Sequence, residues 1–177
     1  MLEVVEKYSQ SLFEISLKYE QLELVFEQLS ALDHIFSNLE TIEYFLSPMI
    51  TFDDKKKLIY NYFNNFDIKI INFLYVLIKN RRINLIHEIF ENFRLLYYKY
   101  VGIKLIKIKS SYQLSPEEKK LINQKLVSKF NKQIHVDYFV DDSLKAGYIM
   151  EVDNRILDTS LKTKLSKLKV VMNSGGN

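Results

Sequence analysis

The sequence predicts an N-terminal all-α six-helix bundle followed by a small α+β domain. From Leu2 to Val101 apolar residues return every three or four positions, and the breaks between stretches carry helix start and stop chemistry. Beyond Gly102 the period changes, because Ile106-Lys107-Ile108-Lys109 alternates with the two-residue period of a half-buried strand. A chain of 177 residues that is 47% apolar and 14% aromatic has enough apolar surface to build a core in each part. The expected division is 1–103 for the helical domain, 104–172 for the α+β domain and 173–177, ending Gly-Gly-Asn, as a fraying tail.

The first helix places Val5, Tyr8, Leu12, Ile15 and Tyr19 on one stripe, with Leu2, Phe13 and Leu17 widening the apolar surface. A second begins near Gln21 and carries Leu22, Val25, Leu29, Leu32 and Phe36. The third, Leu39 to Leu46, stops at Ser47-Pro48 because the residue before proline is pushed out of the helical region. Thr51 offers an N-cap hydroxyl to a fourth helix, with Asp53 and Asp54 in its first turn where the dipole favours negative charge. Asp67 caps a fifth, Ile68 to Lys79, which is apolar nearly all round. After Asn80-Arg81-Arg82 a sixth carries Ile86, Ile89, Phe93, Leu96 and Tyr100 and ends near Gly102.

In the second domain Ser115-Pro116-Glu117-Glu118 is a capping box with proline at the first helical position. The helix it opens, with Leu121, Ile122, Leu126 and Phe130 as its apolar positions, leads into strands over Ile134 to Val140 and Tyr148 to Val152. Asp153-Asn154 reads as a turn, Arg155 to Leu157 as extended, and Ser160 to Met172 as helical again. Alternation of strands and helices makes this half an α+β unit.

Several chemistries are excluded. Cysteine is absent, which removes disulfides, thiolate nucleophiles and Cys-based zinc sites together. His34, His87 and His135 lie outside metal-ligand spacing of one another. The four glycines, Gly102, Gly147, Gly175 and Gly176, form no phosphate loop. Asp53-Asp54 and Glu117-Glu118 sit in helix first turns, where capping accounts for them, and Asp141-Asp142-Ser143 reads as a turn or cap. No histidine stands near Ser143 or Ser160 in sequence to support a nucleophile. No catalytic residue, metal or cofactor is therefore expected. The apolar stretches fall short of a membrane span, and the first residues do not pair a basic segment with an apolar one, so a soluble, unsecreted chain is expected.

Charge is distributed unevenly. Residues 1–46 hold two bases and nine acids, a net of −7, whereas residues 104–177 hold fourteen bases and eight acids, a net of +6. Such asymmetry reports different partners at the two ends. Lys162, Lys164, Lys167 and Lys169 spread over more than one helix face without interleaved aromatics, which suits a solvated or protein-docking surface better than phosphate binding. In the helical half, Val4, Tyr8, Phe13, Leu74, Tyr75 and Ile78 exceed what a bundle interior takes and would line a groove for an amphipathic partner helix. They would equally fill a six-helix core.

The residues as an ordered series resemble the delta subunit of bacterial ATP synthase, a relative of the oligomycin-sensitivity-conferring protein. The signature is Val140-Asp141-Asp142-Ser143-Leu144-Lys145-Ala146-Gly147, then Met150-Glu151, then Ile156-Leu157-Asp158-Thr159-Ser160-Leu161 with Leu165 and Leu168. Tyr8 to Ile15, Phe45-Leu46-Ser47-Pro48 with Lys55 or Lys56 beyond it, Asn72-Phe73-Leu74 and Asn80-Arg81-Arg82 are similar to family positions in the same order. The chain departs from the family at Asp153 and Thr159, where glycine is common. The resemblance implies a non-catalytic stator that resists torque in the proton-translocating rotary enzyme. Its first domain would hold the N-terminal segments of alpha subunits on the catalytic head, with Val4, Tyr8, Leu12, Ile15, Leu74, Tyr75 and Ile78 as candidates. Its second would hold the peripheral-stalk b subunits, with Asp141, Leu144, Ala146, Gly147, Asp158, Ser160, Leu161, Leu165 and Leu168 forming or supporting the surface. It also implies a position on the cytoplasmic face of the cell (inner) membrane, reached through the complex, and no nucleic-acid partner. The competing class is a basic RNA- or ribosome-associated binding module, motivated by the pI of about 8.8.

Overall fold

The computed structural model describes residues 2–144, 147–152 and 155–158, the last four as backbone alone. Among the described residues the chain forms helices α1 (Leu2–Lys18), α2 (Leu22–Ile35), α3 (Leu39–Leu46), α4 (Phe52–Tyr62), α5 (Ile68–Lys79), α6 (Ile86–Val101) and α7 (Pro116–Phe130). Strands β1 (Lys104–Ser110), β2 (Ile134–Val140), β3 (Tyr148–Val152) and β4 (Arg155–Asp158) complete it. Two compact units result, Met1–Tyr97 and Tyr98–Asn177. The expected helical segment 160–172 lies outside the described residues, as does the turn at Asp153-Asn154.

Helix boundaries follow local chemistry. Thr51 and Asp67 accept from the backbone N–H of Asp54 and Lys69, and Asn38 accepts from Glu40. One addition is a 3-10 turn over Ile83–Leu85, ahead of α6, which buries Ile83 and Leu85. All six helices of the first unit contribute to one apolar core, with Val25, Leu29, Leu32, Ile59, Ile70, Leu74, Leu77, Ile89 and Phe93 fully enclosed. Phe13 meets Phe93 edge to face, with centroids 5.7 Å apart. Ser9 approaches α6, its hydroxyl 2.9 Å from Asn92 Oδ1, so α1 and α6 meet through a small residue.

Lys55 is a buried cation that the sequence did not announce. Its Nζ donates to the Ser47 carbonyl at 2.7 Å and so caps the end of α3. Burial, and then the nearby Arg81, hold its pKa below the usual lysine value.

The second unit is a four-stranded sheet in the order β2-β1-β3-β4. β1 and β2 are parallel, which requires the α7 crossover, while β3 runs antiparallel to both β1 and β4. Ile106, Ile108, Met150 and Val152 on one sheet face pack with Leu126 of α7. Of the apolar positions of α7, Leu121 is 57% exposed; Ile122 and Leu126 occupy the face toward the sheet, and Leu121 falls outside their arc. Ser115 and Glu118 form the expected capping box. Gly102 takes φ +76° and lets Ile103 N–H bond to the Tyr98 carbonyl at 2.9 Å, a C-terminal wrap that a left-handed residue permits.

Two outcomes test this packing. Phe93→Ala should lower unfolding free energy by about 3–5 kcal/mol, measured by urea denaturation followed by circular dichroism, because it empties the centre of the core. His87 Nδ1 lies 2.8 Å from Asp33 Oδ1, linking α6 to α2, and that bond raises the histidine pKa. Its stabilisation is fully present below about pH 6.5, the unfolded value, and disappears as pH rises through the native titration. The stability difference between the unchanged chain and Asp33→Asn should therefore be larger at pH 5.5 than at pH 8.5.

Candidate functional site

Helices α1 and α5 run antiparallel in the first unit, as two contacts show. Tyr8, early in α1, meets Phe73 edge to face at 6.1 Å and receives a hydrogen bond from Asn80 at the end of α5. Tyr19, just after α1, lies under Lys69 Nζ at 4.6 Å, near the start of α5. Helical spacing then puts Val4, Tyr8, Ile15 and Tyr19 on the α1 side of a shared seam and Lys69, Phe73, Val76 and Asn80 on the α5 side. From Tyr8 to Tyr19 the seam runs about 16 Å, or three helical turns.

Exposure separates the expected residues into floor and rim. Leu12, Leu74 and Ile78 are core residues, as is Phe13, and none presents a free surface. For these four the core-filling reading holds. Val4 and Tyr8 are half-buried against the core, and Ile15 is 41% exposed. Tyr75 is half-buried and turned toward α4, where Lys56 Nζ stands 5.3 Å from its ring. The structure adds Phe73, Val76 and Tyr19, which sequence reasoning did not single out as docking candidates. Val76 and Tyr19 are 44% and 55% exposed, and the i, i+3/i+4 spacing of Lys69, Phe73, Val76 and Asn80 was the signal that could have found Phe73 and Val76.

A second apolar cleft, about 540 Å³, lies among Ile35, Tyr44, Phe45, Leu58, Tyr62 and Phe63, with Glu40 and Thr41 also lining it.

In the second unit Asp141 closes a turn. Its carboxylate accepts from Ser143 N at 3.0 Å and Ser143 Oγ at 2.6 Å, while Leu144 N–H bonds to the Asp141 carbonyl. Leu144 is buried, and Gly147 takes φ +89° immediately before β3. Asp158 pairs in register with Ile149 across β3 and β4. Ala146, Ser160, Leu161, Leu165 and Leu168 lie outside the described residues. Among the described residues no group of three or more His, Cys, Asp or Glu is placed to hold a metal, and no helix is long and apolar enough to cross a membrane.

The comparisons with known proteins agree with one another. The family model for the ATP synthase delta (OSCP) subunit matches residues 4–172. An ATP synthase subunit delta from Sinorhizobium medicae is 31% identical over 98% of this chain and 94% of its own length. One from Caldanaerobacter subterraneus is 28% identical, with 93% of each covered. A chain in the solved Toxoplasma gondii mitochondrial ATP synthase hexamer superposes with a TM-score of 0.75 at 20% identity, covering 95% of this chain and 96% of that one, a likeness of fold.

The chain therefore belongs to the ATP synthase delta (OSCP) subunit family. It is a structural stator subunit and not a catalytic one. Nothing in these comparisons supports the RNA- or ribosome-associated alternative.

Gly147 has a conformational role that can be measured. Left-handed backbone costs an L-residue roughly 1–2 kcal/mol, so Gly147→Ala should destabilise the chain by about that amount in urea denaturation.

Proposed function

We propose that this subunit ties the catalytic head to the peripheral stalk by giving each a different domain. Residues 1–103, a six-helix domain, hold the N-terminal segments of alpha subunits along the α1/α5 seam. Residues 104–172 hold the b subunits, with 173–177 as a tail. The observation that carries the first half is the row of half-exposed apolar side chains at Val4, Tyr8, Ile15, Phe73 and Val76, a receptor of the kind an amphipathic helix fills. Leu12 and Leu74 support that row from beneath by filling the core.

The b-subunit assignment rests on the family signature around Asp141 to Gly147 and on Asp158 to Leu168. Asp141 closes the turn after β2, Leu144 is buried, and Gly147 takes positive φ just before β3. Location follows from assembly: the chain sits at the cytoplasmic face of the inner membrane through the complex. Torque resistance then needs two separate grips and no chemistry.

The test is reconstitution of stripped membrane vesicles with the full chain or with a chain truncated after Gly102. The full chain should restore proton-driven ATP synthesis, and the truncated chain should bind the head, leave b subunits behind and restore none. Equal synthesis with and without the full chain would rule out the stator role, and undiminished b-subunit recovery by the truncated chain would rule out the domain assignment.

A further inference from the structure

One end of the α1/α5 seam carries an uncompensated charge. The Tyr8 phenol oxygen accepts from Asn80 Nδ2 at 3.0 Å and from Arg82 Nη1 at 3.1 Å. The Arg82 guanidinium also stands 5.6 Å from the Tyr8 ring centroid. Arg82 is half-buried, and it forms no ion pair among the described residues. Its recorded polar contact is with a neutral phenol, so a fork of five N–H donors is held in place with donors to spare.

The flanks of the seam do not supply the missing anion. By helical spacing, Lys7, Ser11 and Lys18 border it on α1, and Asn72 and Lys79 border it on α5. At the far end Lys69 already bonds Gln21 and Asp67. Lys7 is already paired with Glu3 at 2.7 Å, and Lys18 and Lys79 leave the border net positive even though residues 1–46 carry a net charge of −7. A helix laid along the seam would strip water from Arg82. Burying that guanidinium without an anion opposes docking, whereas a carboxylate placed on it converts the cost into a charge-assisted, bidentate contact.

Resting on the alpha-segment reading, we propose that Tyr8, Asn80 and Arg82 form a carboxylate subsite at the end of the seam, which receives an Asp or Glu side chain of the docked helix and fixes its register. Arg82 supplies the charge. Tyr8 and Asn80 are positioning residues: the phenol holds the guanidinium, and the Asn80 amide holds the phenol.

A double-mutant cycle on the full-length chain tests this, with a fluorescent synthetic peptide of the alpha-subunit N-terminal segment as probe. Arg82→Gln should weaken binding about tenfold or more, and Arg82→Lys, which keeps the charge but loses the fork, should recover part of it. Peptides with each Asp or Glu changed in turn to Asn or Gln leave the protein's fold untouched. One of them should lose a similar factor on the unchanged chain and little further on Arg82→Gln. Added salt should weaken the unchanged pair more than the Arg82→Gln pair. If every neutralised peptide loses the same factor on Arg82→Gln as on the unchanged chain, the subsite is refuted while alpha binding stands. If no peptide binds the unchanged chain, the alpha-segment reading itself fails.

Discussion

The first unit depends on the sharing of one apolar core by helices several of which are too short to stand alone. Its helices have between 8 and 17 residues, and isolated helices below about 12–15 residues are marginal in water. Each exists because it covers part of a core centred on Leu29, Leu74 and Phe93. Apolar side chains are more numerous than that interior holds. The surplus stays at seams, and so Ile15 and Val76 remain half-exposed while Leu12 and Leu74, a few positions away on the same helices, are enclosed. A docking row is in this sense the outer edge of the core and inherits its rigidity from it.

Polar side chains then fix what apolar packing leaves loose. Lys55 holds the α3 carbonyl end at Ser47, Ser9 brings α1 against α6 at Asn92, and Tyr8 joins α1 to the turn after α5 through Asn80 and Arg82. The Ser9 and Tyr8 ties join residues more than seventy positions apart, and the Lys55 tie satisfies an ammonium that would otherwise be costly to bury. A partner helix that meets such a surface does not have to order it first, so less of the contact energy goes into reorganisation.

Element order and most boundaries were legible in the sequence because caps and period changes are local. Thr51, Asp67 and Ser115 needed only their next few neighbours to declare three helix starts, and the move from three-to-four spacing to alternation marked the end of α6. What was not legible depended on neighbours in space. α5 is apolar nearly all round, so its apolar residues by themselves do not separate the inward Leu74 and Ile78 from the outward Val76; only the polar ends of the Lys69–Asn80 row hint at it. Lys55 reads as one of three consecutive lysines until the Ser47 carbonyl is placed over it. Leu121 is as apolar as Ile122, and only the placement of α7 against the sheet shows which of the two faces outward. The seam was legible in part for the same reason: Tyr8 and Ile15 stand on a clean stripe, whereas Phe73 becomes a seam residue only when α1 is laid beside it.

Net charge is a poor guide to what such a surface accepts. An acidic N-terminal segment suggests a basic partner, and at long range the field of the whole segment does favour one. Docking affinity, however, is set by groups that lose water in the contact, and exposed charges a Debye length away, about 8 Å at physiological ionic strength, are largely screened. Along the α1/α5 seam those groups are a phenol, amides and cations, while Glu6 of α1 sits on a position turned away from α5 and Glu3 is paired with Lys7. Long-range attraction and short-range recognition can thus favour opposite signs within one domain. A connector built this way can gather a partner by its overall field and still demand a specific carboxylate at the contact.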